Sequence, residues 1–218
     1  MISTVIFDMD GVLVDSEEAI TLAGIEALKD WGIDAKADDF KPFTGMGENK
    51  FIGGVAEKHG VAFTPDMKDK AYDIYIKKAK DRVTVYPWSK TVLDGMAQHG
   101  IRIALASAAD AIKVACNLEC IGVDKSIFSA LVTGSDVKHK KPHPEIFLTA
   151  ASKAGFEPSK TLVVEDALSG VQAAKAAGMQ CLALTTSFSA AELYDAGADF
   201  VSQTLNDVFE LIEKCNRP

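Results

Sequence analysis

Asp8, Asp10 and Asp15 crowd into one short run, Phe7-Asp8-Met9-Asp10-Gly11-Val12-Leu13-Val14-Asp15-Ser16. A second acidic pair, Glu165-Asp166, lies far along the chain, and between the two stand Ser107 and the basic loop Val137-Lys138-His139-Lys140-Lys141. Clustered carboxylates repel one another unless a cation sits among them. An all-oxygen donor set suits Mg2+, which takes one or two carboxylates, waters and a substrate phosphate. With the charge so balanced, a phosphate ester could approach Asp8, since carboxylates are nucleophiles toward phosphorus. Asp10, two residues on, could protonate the leaving oxygen and then activate water. Ser107 and one lysine could hold the non-bridging oxygens.

Such residues cooperate only if the fold gathers them. Ile2 to Phe7 reads as a buried strand, Ile101 to Ala106 as a second, and Ala130-Leu131-Val132 as a short third. Leu162-Val163-Val164, Cys181 to Leu184 and Asp199 to Val201 follow. Helices are expected between them. One runs from Thr91 to His99, stopped by Gly100, and one begins at Asp110 with the stripe Ala111, Val114, Ala115, Leu118, Ile121. Others open at Pro144, run from Ala167 to Ala177, and close the chain from Leu205 to Cys215. This alternation predicts an α/β fold, a doubly wound, mostly parallel sheet covered on both faces. Ligands of such sheets bind beyond the carboxyl ends of the strands. Asp8, Ser107, the lysine loop and Glu165-Asp166 each follow a strand, so four segments would meet on one edge. Any one of them alone has a plainer reading as a turn, a helix cap or a solvated loop. Their joint occurrence in strand order outweighs those readings.

Residues 17–84 interrupt the alternation. They carry helical patterns (Leu22, Ile25, Leu28; Tyr72, Tyr75, Ile76, Ala79) and few strand signals. They are expected to form an inserted helical cap on a core made of residues 1–16 and 85–218. Glu48, Asn49 and Lys50 are the cap candidates for contact with a substrate.

The formal net charge of −8 over 218 residues argues against nucleic acid or an anionic membrane as partner. No apolar run approaches the roughly 20 residues of a membrane span, and the amino terminus lacks the basic start of a signal peptide. Cys116, Cys120, Cys181 and Cys215 have no further ligands at zinc-site spacing and read as small apolar residues of a reduced, cytoplasmic protein. No feature fixes the oligomeric state, and a monomer is favoured.

The ordered pattern resembles the haloacid dehalogenase superfamily over essentially the whole chain. The run from Phe7 to Ser16 is similar to its first motif, Ala104-Leu105-Ala106-Ser107-Ala108 to its second, Lys141-Pro142-His143-Pro144 to its third, and Val163-Val164-Glu165-Asp166-Ala167-Leu168-Ser169-Gly170 to its fourth. The resemblance implies a Rossmann-like core with a cap inserted after the first motif. It also implies that Asp8 is the nucleophile and Asp10 the acid/base. Mg2+ would be bound by Asp8, the Asp10 main-chain carbonyl and Asp166, with Glu165 as a further or outer ligand. Ser107, Ala108 and Lys141 would bind phosphate. The branch looks like the β-phosphoglucomutase-like and phosphoglycolate-phosphatase-like group, and the cap stretch is also similar to a domain of plant chloroplast proteins.

Two departures bear on the reaction. Mutases of that group carry a histidine shortly after the first motif, where this chain has Glu18-Ala19-Ile20, and an arginine in a Gly-x-x-Arg cap run, where it has Gly45-Met46-Gly47-Glu48. An anion in place of a cation beside a second phosphate weakens its binding in a water-poor site. Dehalogenases of the superfamily lack the second aspartate, so Asp10 argues against that reaction. The expectation is therefore a Mg2+-dependent phosphatase acting on a small-molecule phosphate ester, with a β-phosphoglucomutase-type phosphomutase as the alternative. A receiver-like phospho-acceptor needs neither the cap nor Asp10.

Overall fold

The computed structural model describes residues 1–44 and 47–217. Six strands form one parallel sheet: β1 (Thr4–Phe7), β4 (Arg102–Ala106), β5 (Leu131–Val132), β6 (Thr161–Glu165), β7 (Gln180–Leu184) and β8 (Phe200–Ser202), in the order β5-β4-β1-β6-β7-β8. Two short strands, β2 (Val14–Asp15) and β3 (Thr84–Val85), pair antiparallel apart from it. The helices are α1 (Glu17–Leu28), α2 (Ala37–Phe40), α3 (Glu48–Lys58), α4 (Pro65–Arg82), α5 (Ser89–Gln98), α6 (Ala111–Ile121), α7 (Glu145–Ala154), α8 (Leu168–Ala176), α9 (Ala190–Asp195) and α10 (Val208–Asn216). The α/β, Rossmann-like doubly wound architecture is the one the alternation predicts.

The central strands are buried on both faces, so their side chains divide between two apolar clusters. Val5, Phe7, Leu105, Leu162, Val164, Leu182 and Leu184 meet α5, α6 and α10 on one face. Ile6, Ala104, Ala106, Val163, Cys181 and Ala183 meet α7, α8 and α9 on the other. The second face is lined with small residues and so are its helices (Ala150, Ala151, Ala173, Ala174), which lets backbones approach closely.

Residues 17–84 supply most of a third apolar cluster, including Ala19, Ala23, Leu28, Phe40, Ile52, Met67, Tyr75 and Ala79. The helices α1 and α4 pack along each other, and Leu28, Tyr72, Tyr75 and Ala79 of the expected patterns are buried with Ala19, Ile20, Ala23, Ala27, Met67, Ala71 and Ile74. Leu22 and Ile76, expected inward, are exposed. The helix α6 differs from expectation too. Ala111 and Ala115 lie outside, because α6 is wedged between the sheet and α4. Val114, Leu118 and Ile121 face the sheet cluster, whereas Cys116 belongs to the third cluster, with Cys120 against it.

The two chain crossings between core and insertion are tied together. Val14 pairs with Val85 and Asp15 with Thr84. Tyr86 N–H and Ser89 Oγ–H both donate to Leu13 O, at 3.2 and 2.6 Å, and Trp88 Nε1–H donates to Val12 O at 3.0 Å.

Candidate active site

The strand order sets the site. Because β1 lies between β4 and β6, the residues that leave their carboxyl ends, Asp8, Ser107 and Glu165-Asp166, emerge side by side. The loop after β5 adds Lys141 from beyond β4. Facing them across a cavity of about 740 Å³ are Ile20, Thr44, Glu48 and Phe51 from the insertion.

Lys141 is the hinge of the charge pattern. Its side chain is 8% exposed, with Nζ 2.6 Å from Asp8 Oδ1 and 2.5 Å from Glu165 Oε1. The ammonium also lies 4.9 Å from the Phe147 ring centroid. Burial disfavours the ammonium, but the two carboxylates hold its pKa above that of an ordinary lysine. Glu165 is fully engaged: its Oε2 accepts Asp166 N–H at 2.8 Å and Ala167 N–H at 2.9 Å. The floor beneath it is Gly170, where a Cβ would overlap the Glu165 carboxylate.

Burial, against the pull of Lys141 and with repulsion from Glu165 and Asp10, raises Asp8 to about 7. Asp166 is held well above the usual carboxylate range by burial, then by Glu165 and Asp8, although Ser187 Oγ–H donates to its Oδ2. Gly11, at φ +79°, passes directly under Asp166, and any side chain there would collide with its carboxylate. Buried carboxylates whose pKa values rise in this way are short of positive charge. The donors are oxygens, with no His or Cys lining the cavity among the described residues. That combination fits Mg2+.

Asp10 sits at the mouth, its side chain 35% exposed. Its Oδ1 accepts Ser16 Oγ–H, and its Oδ2 lies 3.2 Å from Lys113 Nζ. Lys113 projects from α6 with its side chain 8% exposed. Burial opposes its charge, but Asp10 and Glu48 raise its pKa. Ser107 is buried. Its Oγ accepts Ala109 N–H at 3.2 Å, which leaves the hydroxyl proton for a ligand. Ala108 lines the cavity beside it, its carbonyl packed on Gly134, where no Cβ would fit.

Of the cap candidates, Glu48 lines the cavity, while Asn49 and Lys50 are exposed and lie outside its lining. One turn of α3 accounts for the difference, since neighbouring positions on a helix point about 100° apart. Burial raises the Glu48 carboxyl above its ordinary pKa, and Lys113 opposes that shift. Gly45 and Met46 lie outside the described residues. Within the lysine loop, Lys140 donates to Gly134 O at 2.5 Å, and the Lys138 and His139 N–H groups bond Glu145 at 3.0 Å each, so Lys141 alone reaches the acids.

Sequence reasoning missed Lys113, Gly11 as the seat of Asp166, and Ser16 and Ser187 as carboxylate partners. Lys113 gave no local signal, because it lies off the apolar stripe expected for its helix and its burial comes from tertiary packing.

Residues 5–184 match the family model described as haloacid dehalogenase-like hydrolase. The chain is 40% identical over 211 residues to Protein SUPPRESSOR OF QUENCHING 1, chloroplastic, of Arabidopsis thaliana, covering 95% of this chain but 20% of that far longer protein. It is 30% identical to the phosphorylated carbohydrates phosphatase of Thermotoga maritima, over 81% of this chain and 82% of that one. Among solved structures, CbbY from Rhodobacter sphaeroides in complex with phosphate is 25% identical, with a TM-score of 0.81 over 94% of this chain and 95% of that one.

Proposed function

The chain belongs to the haloacid dehalogenase-like hydrolases, and we propose that it is a Mg2+-dependent phosphatase that hydrolyses a small phosphomonoester by way of a phosphoaspartate at Asp8. The observation that carries this reading is the placing of Asp8 Oδ1 2.6 Å from the buried Lys141 ammonium, with Asp10 two residues on at the cavity mouth. A phosphate group drawn to Lys141 and Ser107 is thereby brought against the Asp8 carboxylate. The likeness to CbbY, whose structure holds phosphate, and to a phosphatase of phosphorylated carbohydrates supports the substrate class.

In the first half-reaction an Asp8 oxygen forms a bond to phosphorus while the ester P–O bond breaks, and the departing alkoxide takes the proton of Asp10. In the second, Asp10, now a carboxylate, takes a proton from water as the water oxygen bonds to phosphorus. The phosphoaspartate P–O bond breaks, returning Asp8 and releasing inorganic phosphate. Asp8, Asp166 and the main-chain carbonyl of Asp10 would hold Mg2+, which when bound would offset the charge of phosphate and carboxylate. Glu165, with both oxygens engaged, serves by holding Lys141. The cavity wall from the insertion shields the phosphoaspartate from bulk water and meets the leaving group.

The phosphomutase alternative has less support. The ionisable groups that the insertion turns toward the cavity are Glu17 and Glu48, among the described residues, and a second phosphate needs a cation there. All four thiols are free, in keeping with a reducing compartment such as the cytoplasm. No helix among the described residues is long and apolar enough to cross a membrane.

Rapid acid quench of the enzyme during turnover, followed by peptide mass spectrometry, tests the reading. The Asp8 peptide should gain one phosphoryl group in the wild type and none in Asp8→Asn. Turnover should cease in chelator and return with Mg2+. A phosphoryl group on another residue, or undiminished turnover in chelator, would overturn it.

A further inference from the structure

Outside the cavity, one set of three potential metal ligands converges among the described residues. His139 and His143 flank Lys141 in the loop between β5 and α7, and Glu145 opens α7. Their potential ligand atoms all lie within 4.8 Å of one another. The imidazole centroids are 4.6 Å apart, with the rings inclined by 36°. His139 Nδ1 lies 2.7 Å from Glu145 Oε2, and His143 Nδ1 lies 4.0 Å from the same oxygen.

We propose that His139, His143 and Glu145 form an accessory site for a divalent transition metal of the Zn2+ class. Two imidazole nitrogens with one carboxylate are a donor set that Zn2+ and its neighbours accept, whereas Mg2+ prefers oxygen alone. Water would complete the coordination. The carboxylate is already fixed in direction, since the Lys138 and His139 N–H groups each bond it at 3.0 Å. A tetrahedral ion with bonds of about 2.0–2.1 Å needs donor atoms roughly 3.3 Å apart. Closing to that separation takes rotation of two imidazoles whose side chains are 64% and 52% exposed, with His143 either giving up the Glu145 N–H that its Nδ1 accepts at 3.2 Å or binding through Nε2.

Two neighbouring lysines are drawn elsewhere: Lys153 Nζ pairs with Asp136 at 3.0 Å, and Lys140 Nζ reaches Gly134 O. Both imidazoles also clamp the loop, His143 Nδ1 accepting Glu145 N–H at 3.2 Å and His139 Nδ1 lying 2.7 Å from Glu145 Oε2, and that clamp is what brings the three donors together. Because His139 and His143 lie two residues to either side of Lys141, an ion bound here would tie down both flanks of the lysine that meets Asp8.

The test uses metal-free, untagged protein in excess Mg2+, so that the acidic edge is occupied. Calorimetric titration with Zn2+ should show one saturable site. His139→Ala and His143→Ala should each weaken it by at least the roughly 10–100-fold typical of losing an outer-shell partner. Histidine ring resonances give a second readout on the wild type, independent of how the variants fold. Of the four histidines, those of His139 and His143 should move on adding Zn2+, while those of His59 and His99 stay. No saturable binding in excess Mg2+, equal affinity in both variants, or shifts at His59 and His99 alone would overturn the site.

Discussion

Lys113 Nζ lies 3.2 Å from Asp10 Oδ2, on a side chain that α6 keeps almost wholly out of solvent. A cation from the helix that follows Ser107 thus holds the aspartate two places beyond Asp8. The same ammonium acts on Glu48 across the cavity, so Asp10 and the insertion share one positive charge.

Lys113→Met should therefore misplace Asp10. A hydrogen bond to a charged group is worth about 1.5–3 kcal/mol, which corresponds to a fall of roughly 10- to 100-fold in kcat for an alkyl phosphate. Lys113→Arg should recover part of it. The comparison is steady-state kinetics of the three proteins with a shared substrate. A Lys113→Met enzyme with unchanged kcat and a raised KM would move Lys113 from positioning Asp10 to binding substrate.

Asp10→Asn separates acid catalysis from binding. Loss of a general acid costs about 10²–10⁴-fold, but only where the leaving group needs the proton. Alkyl phosphates should slow far more than an aryl phosphate such as p-nitrophenyl phosphate. Equal slowing of both classes would sink the acid role and leave Asp10 as a structural or metal-holding residue.

The sheet was legible because its strands are short apolar runs punctuated by glycines, and because the residues that follow them differ so sharply in chemistry. Asp8, Ser107, Lys141 and Asp166 could be placed on one edge from that order alone. What escaped notice shares one cause, dependence on tertiary neighbours. Strands β2 and β3 have two residues each, too few to show a period, and exist because the two crossings lie together. Leu22 and Ile76 fit an apolar stripe, yet both are exposed, while Ile20, Ala23, Ile74 and Tyr75 are buried. Lys113 needed the knowledge that α6 is covered on two sides. Helix α9 had a signal that went unread: Ser189 and Glu192 form a capping box, with Ser189 Oγ 2.6 Å from Glu192 Oε2.

Pairing of the two crossings gives the expected cap motion a physical pivot. Closure would turn residues 17–84 about the β2–β3 ribbon, with Val14 to Ser16 and Arg82 to Pro87 absorbing the change in backbone angles. Adding Mg2+ and a metal fluoride as phosphate mimic should slow amide exchange in the first turns of α1 and α3, which face the cavity, and leave β6 and β7 unchanged. Exchange in α1 and α3 that is identical with and without the mimic, together with crystal structures superposable in both states, would count against a moving cap.

The enzyme should not interconvert β-glucose 1-phosphate and glucose 6-phosphate efficiently. A mutase holds a sugar bisphosphate and lets it turn over within the site, so a cation must receive the distal phosphate while the proximal one lies at Ser107 and Lys141. Glu48 occupies the cavity wall where such a cation would be needed, and Lys50, the nearest lysine along the helix, is exposed and outside the lining. Lys113 is buried nearby but committed to Asp10, and a lysine lacks the planar fork that grips phosphate at two points. The decisive assay supplies β-glucose 1-phosphate, Mg2+ and a trace of bisphosphate activator, and follows glucose 6-phosphate against free phosphate. Rapid glucose 6-phosphate formation with little phosphate release would reverse the order of the two readings. Phosphate release without isomer is the expected result. A Glu48→Arg variant sharpens the argument: if charge at that position is what withholds mutase chemistry, the substitution should raise affinity for a bisphosphate by 10-fold or so, given the 1.4 kcal/mol that separates each tenfold step in binding.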